Sequence, residues 1–231
     1  IYVKELLDVN EKNLINGCAN ITGGGLIDNL RRVIPKNLGA EINLNNVKTL
    51  KSIKAEVALR IKYIDRKMNQ YKRDIEVGDY IIKNWNKIDY DSIASITKND
   101  RDVILTLKAY RAINLPISIY NSLNSDGSIG KLEQDSIKII LNDLYEVFPA
   151  HIVDGVENER VLYHSFNEYI IKNYPIIVND AVGKKEYDDY SRFFDDDVVL
   201  GYVLEKTHLR KFILKLITNY YNRLIELEKM I

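Results

Sequence analysis

Between Val57 and Trp85 the residues Val57, Ile61, Ile64, Met68, Tyr71, Ile75, Gly78, Ile82 and Trp85 follow one another at spacings of 4, 3, 4, 3, 4, 3, 4 and 3. A repeat of about 3.5 residues kept up for about four heptads is the pattern of a long helix that lays one stripe against other helices. A strand is excluded over the same stretch, because its side chains alternate with period 2. Gly78 sits on the seam and marks a close approach or a weak point. The seam predicts a helical bundle or coiled coil. It also predicts self-association, or a protein partner met through Val57, Ile61, Ile64, Met68, Tyr71 and Ile75.

More helices are expected downstream. One spans about Asp100 to Ala112, limited by Pro116. Another runs over Leu132–Phe148 on Ile137, Ile140, Leu141, Leu144 and Phe148, and Pro149 is expected to stop it. Val161–Asn173 reads as helix. Val198–Ile231 closes the chain with Leu209, Phe212, Ile213, Leu216, Ile217, Tyr220, Leu224 and Leu227 on one wide apolar face. Ser122–Gly130 reads as a loop. The first residues follow a different rhythm: helix over 2–9, strand over Asn16–Ile21, helix over Leu26–Ile34, turn over Pro35–Gly39, strand over Ala40–Leu44. The expected fold is mainly α, a helical bundle preceded by a short α+β (β-α-β) fragment. The boundary falls between residues 1–45 and residues 46–231.

Composition sets outer limits. A chain of 231 residues is long enough to bury a real core, and 46% hydrophobic with 29% charged residues suits a globular protein. Lysine plus arginine equals aspartate plus glutamate at 33 each, so no global charge points to nucleic acid. The lone Cys18 excludes an internal disulfide and reads as a core thiol. No apolar run is long enough to span a bilayer and no signal pattern opens the chain, so a cytoplasmic location is expected.

Residue order alone suggests chemistry at one place. A hydrophobic run enters Gly23-Gly24-Gly25, and an amphipathic helix pattern begins at once. Three glycines let backbone N–H groups turn inward, and a following helix adds free amides and a positive dipole end. Thr22, Gly23, Gly24 and Gly25 therefore form a candidate phosphate cradle. The run Asn20-Ile21-Thr22-Gly23-Gly24-Gly25-Leu26-Ile27-Asp28-Asn29-Leu30, then Arg32-Val33-Ile34-Pro35, then Leu38-Gly39-Ala40-Glu41-Ile42, resembles the C-terminal domain of aminoimidazole ribonucleotide synthetase (phosphoribosylformylglycinamidine cyclo-ligase). The resemblance covers residues 1–45 and implies a role in purine biosynthesis, in ATP-driven closure of an imidazole ring. Where that family usually has histidine, this chain has Asn20, whose amide, unlike an imidazole, neither takes nor gives up a proton near neutral pH. The family's ATP-binding domain is not among these residues, and the chain opens on Ile1, as a piece of a longer product would. No cyclo-ligase activity is expected of it alone, and no catalytic residue is assigned.

Other patterns have local readings. Ser122–Glu133 fits the frame of a calcium-binding loop, with Asn124, Asp126 and Glu133 at ligand positions and Gly127 at the sharp turn. The alternative is an Asp-Gly turn capped by its neighbours. Asn46–Ile75 carries nine Lys/Arg against three Asp/Glu, a net of +6, while Glu186–Asp197 carries a net of −5. Pairing of these two within the chain is the expectation, and nucleic acid is not the expected partner. Asp195-Asp196-Asp197 reads as the start of the last helix. His151, His164 and His208 are scattered, and Arg160 lies too close to His164 for the pattern of helical ribonucleases. Three functions remain: a helical assembly module with a non-catalytic cyclo-ligase-like fragment, part of an ATP-dependent cyclo-ligase, or a basic-helix protein on nucleic acid or a membrane surface.

Overall fold

A computed structural model describes Glu11, residues 32–35, 37–38, 44–88, 103–178 and 191–231. The chain divides into two units, Ile1–Leu44 and Asn45–Ile231. In the first, the Leu38 N–H donates to the Pro35 carbonyl at 2.9 Å, closing the turn expected there. Turn geometry already holds at Arg32 and Val33, short of the helix end expected at Ile34. The β-α-β unit and the glycine run lie outside the described residues. Leu44, expected to end a strand, instead begins a helix.

The second unit is helical. Its elements are α1 (Leu44–Lys83), α2 (Val103–Lys108), α3 (Ser118–Ser125), α4 (Asp135–Asn142), α5 (Phe148–Asn173), α6 (Pro175–Val178) and α7 (Asp197–Met230). A π-helical turn, Asp143–Val147, joins α4 to α5. Among the described residues there is no strand, and no helix is long and apolar enough to cross a membrane.

Pro149 does not stop its helix. A proline has no N–H to give and its ring clashes with the carbonyl four residues back, here Tyr145. The π turn just before it shifts the bonding, with Phe148 N–H reaching Asp143 O five residues back. The ladder therefore changes register before the proline, and α4 and α5 form one interrupted rod.

Side-chain bonds fix the directions of the three long elements. Lys54 Nζ reaches Ile231 O, Arg60 bonds Tyr220 and Lys211 bonds Asp79, so α1 and α7 are antiparallel. Tyr145 bonds Glu56 and Tyr71 bonds Glu159, so the α4–α5 rod runs parallel to α1. Gly78 is the close approach of α1 to α7: a Cβ there would collide with the Thr207 hydroxyl.

Two apolar clusters form the interior. The larger gathers Ile53, Val57, Ile64 and Tyr71 of α1 with Ile137 to Ile152 of the rod and Ile213 to Leu227 of α7. The smaller gathers Val77 and Ile81 with Phe166, Ile170, Phe193, Val199 and Val203. Val57, Ile64 and Tyr71 of the seam are fully buried within this chain, while Ile61 and Met68 are half-buried. Arg60 and Asp74 point inward beside them, at 3% exposure each.

Candidate functional site

A layer of charge separates the two apolar clusters. Asp74 follows Tyr71 on α1, Glu159 lies between Ile152 and Phe166 on α5, and Lys206 and Arg210 lie between Val203 and Ile213 on α7. Isolated charges in such a place would cost several kcal/mol each, on the order of their lost hydration. Here the carboxylates and Arg210 are paired, and Lys206 is bonded to a backbone carbonyl. Arg210 Nε donates to Glu159 Oε1 at 2.8 Å, and Arg111 grips Asp74 with two bonds of 2.6 Å. Glu159 Oε2 accepts from the Tyr71 hydroxyl at 3.0 Å and from the Arg111 N–H at 3.3 Å.

The layer has a client, the end of α2 together with the non-helical residues 109–117 that follow it. A chain segment without helix or sheet bonds must place its N–H and C=O groups elsewhere. Here side chains from three helices receive them. Arg210 donates to the carbonyls of Thr106 and Ala109 at 3.0 and 2.7 Å, and Lys206 to that of Lys108 at 2.5 Å. From α1, Lys67 donates to Ala112 O and the Tyr63 hydroxyl accepts from Asn114 N–H. The charged layer is thus a clamp on a strap of backbone.

The electrostatics follow from that arrangement. Burial, reinforced by the Arg210 guanidinium, brings Lys206 down to about 7, against the opposite pull of Glu159 and Asp74. Burial also pushes the Tyr71 hydroxyl well up, and Glu159 adds to the shift by accepting its proton in a hydrogen bond. An amine that titrates near neutrality has the reactivity of a base or nucleophile. At 2% exposure, Lys206 gives its hydrogen bond to a backbone carbonyl. This cluster holds structure.

A second cluster lies within the larger apolar core. Glu56 Oε1 accepts from Arg60 Nε at 2.8 Å and from the Tyr145 hydroxyl at 2.7 Å. Arg60 also donates to the Tyr220 hydroxyl and lies 4.2 Å from the centroid of the Tyr145 ring. Glu56 Oε2 is buried and has no hydrogen-bond partner.

The residues singled out from sequence are dispersed. Thr22, Gly23, Gly24 and Gly25 lie outside the described residues, as do Cys18 and Asn20. Asn124 sits in the last turn of α3, since that helix runs to Ser125 rather than ending in a loop at Ser122. Asp126 accepts the Ser128 N–H at 2.8 Å, Gly127 has φ of 74°, and Glu133 stands on a small cleft with Leu50, Leu132, Gln134 and Ile137. No group of three or more His, Cys, Asp or Glu able to hold a metal occurs among the described residues. Asp196 caps α7 by accepting from Val198 N–H and also takes the Tyr169 and Tyr174 hydroxyls. His164 is exposed and lies 3.5 Å from Arg160, which is paired with Glu157.

The clamp went unread because its cations occupy positions assigned to apolar residues. The inward line of α7 is Val203, Lys206, Arg210, Ile213, Ile217, Tyr220, Leu224 and Leu227, a 3-4 repeat with two cations in it. Phe212, expected on that face, is 50% exposed. A lysine and an arginine at consecutive heptad positions were the available signal.

Comparison with known proteins bears on the N-terminal part. Residues 1–69 match the C-terminal domain of AIR synthase related proteins. That match runs past the first unit and into α1. A bifunctional purine biosynthetic protein of Pichia angusta is 54% identical over 44 residues, which are 19% of this chain and 6% of that protein. Phosphoribosylformylglycinamidine cyclo-ligases of Bacillus cytotoxicus and a Geobacillus species are 46% identical over 59 residues and 58% over 43. The aligned stretches are 25% and 19% of this chain, and 17% and 12% of those enzymes. The chain therefore spans well under two thirds of the curated relatives it matches. No solved structure matches it.

Proposed function

We propose that this chain is a helical interaction module carrying an N-terminal segment similar to a cyclo-ligase C-terminal domain, and that it does not catalyse ring closure on its own. The observation that carries this reading is the clamp. The buried charged groups Lys206, Arg210, Glu159 and Asp74 are bonded to one another or to the chain's own backbone. Any work done by the second unit then falls to its surface. With Val57, Ile64 and Tyr71 in the unit's own core, self-association through the seam would rest on Ile61 and Met68. The purified chain, given formylglycinamidine ribonucleotide and ATP, is expected to form no aminoimidazole ribonucleotide. Catalytic product formation would overturn the proposal.

The high identities over the first residues favour a second reading, part of an ATP-dependent cyclo-ligase. In that case Thr22 and Gly23–Gly25 contact phosphate and the helical unit is an appendage. Phosphate binding by the purified chain that is lost on Gly24→Asp would favour this second reading, and no phosphate binding would count against it.

A further inference from the structure

Five of the ten lysines and arginines of α1 lie on one line. Lys48, Lys51, Lys62, Arg66 and Arg73 are all exposed. At 3.6 residues per turn they fall within an arc of about 60°, and at 1.5 Å per residue they extend over about 38 Å. None of the five has an ion-pair partner among the described residues. No carboxylate of α1 falls on that arc: Glu56 and Asp74 are buried, Asp65 is bonded to Asn69, and Glu76 borders it. The acidic segment expected to cover this face does not do so where it is described. Asp195 and Asp197 flank Asp196 at the start of α7, and neighbouring Phe194 packs 5.7 Å from Trp85. Trp85 lies just past the C-terminal end of α1, which at Lys83 is already about 15 Å beyond Arg73.

We propose that this stripe binds the phosphate backbone of a nucleic acid. The inference rests on the reading of the unit as an interaction module and supplies the class of partner. Charge complementarity selects a linear polyanion, since five cations in a straight row match a regular row of phosphates about one duplex turn long. A membrane surface fits less well. A helix lying on lipid buries its apolar face there, whereas the apolar face of α1 is at 0% exposure at Val57, Ile64 and Tyr71. Leu59, 68% exposed at the edge of the arc, is a single apolar contact. Sequence readout needs side chains on base edges. The stripe is spaced for phosphate contacts, which carry no sequence information, so binding is expected to be indifferent to sequence.

The test measures binding of the full chain to fluorescein-labelled 20-base-pair duplexes by anisotropy. With about five phosphate contacts, affinity should fall on the order of a few hundred-fold between 50 and 200 mM salt. Two duplexes of unrelated sequence should bind alike. Lys62→Glu with Arg66→Glu should weaken binding by about tenfold or more. Lys215→Glu with Lys229→Glu, on exposed positions of α7, should not, with helical content unchanged in both variants. No binding at 50 mM salt would overturn the proposal. So would binding indifferent to salt or to the stripe variants, or capture by phosphatidylserine vesicles in place of DNA. Each of those results leaves the module reading in place, which falls instead to cyclo-ligase activity.

Discussion

The two buried charged clusters of the helical unit contain similar residues and are held very differently. Around Glu159 both carboxylate oxygens are used, by Arg210, Tyr71 and the Arg111 N–H, and the bonds join three helices to the strap. Around Glu56 one oxygen takes two donors and the other takes none, and the ion pair is local, four residues apart on one helix. The cation differs too. Arg60 keeps the Tyr220 hydroxyl and the Tyr145 ring if Glu56 is lost, whereas Arg210 would keep only backbone carbonyls and Asp74 at 3.8 Å. What the glutamates hold therefore differs: Glu159 ties three helices to the strap, whereas Glu56 ties one turn of α1 to the Tyr145 hydroxyl.

That contrast predicts the largest effect. Glu159→Ala in the full chain should destabilise by about 3–5 kcal/mol, because it removes the anion of a fully buried ion pair together with its bonds to Tyr71 and the Arg111 N–H. Glu56→Ala should cost less, about 1–2 kcal/mol, since it also removes an unsatisfied buried oxygen. Urea unfolding followed by helical signal measures both. Equal losses would mean that the clamp has no special standing among the buried polar groups.

The next effect uses pH. Lys206 titrates near 7 in the folded chain and near 10.5 when unfolded. Between those values the unfolded state binds more protons, so stability rises with pH across that window, and the penalty for the buried ammonium is fully present below it. Between pH 7 and 8.5 the gain is about 1.5 kcal/mol. Lys206→Met should remove that slope. A slope that survives the substitution would place the titration elsewhere.

Legibility followed the same division. The long helices were visible because their apolar residues recur at helical spacing, and the closing helix was expected within a residue or two of where α7 lies. The seam was read correctly at Val57, Ile64 and Tyr71, which depend only on periodicity. It failed at Arg60 and Asp74, because hydropathy assigns a charge to solvent, and their inward positions depend on partners distant in sequence: Tyr220, Arg111 and Arg210. The strap was hidden for the same reason. Its bonds go to side chains of α1, α5 and α7, and no local pattern in residues 109–117 announces them. Pro149 misled because a π turn can absorb a proline, and that adjustment has no composition signature.

Gly78 tests the one backbone feature that the sequence did mark. Alanine at a helix interior is favoured over glycine by about 1 kcal/mol. Here the new Cβ would meet Thr207 at its hydroxyl, and the rest of that side chain lies at 3.2 Å. Thr207 is β-branched and 4% exposed, so it cannot swing away without disturbing its own helix. Overpacking of this kind costs about 1–3 kcal/mol, which leaves Gly78→Ala destabilising by about 1 kcal/mol. Adding Thr207→Ala removes the obstruction, and the alanine at position 78 should then be neutral or stabilising against the Thr207→Ala background. If Gly78→Ala alone stabilises the chain, α1 and α7 are not in close contact there. The strap would then be the feature that sets the spacing of those helices, and the comparison between the two charged clusters would have to be weighed without the constraint of a tight helix crossing beside one of them.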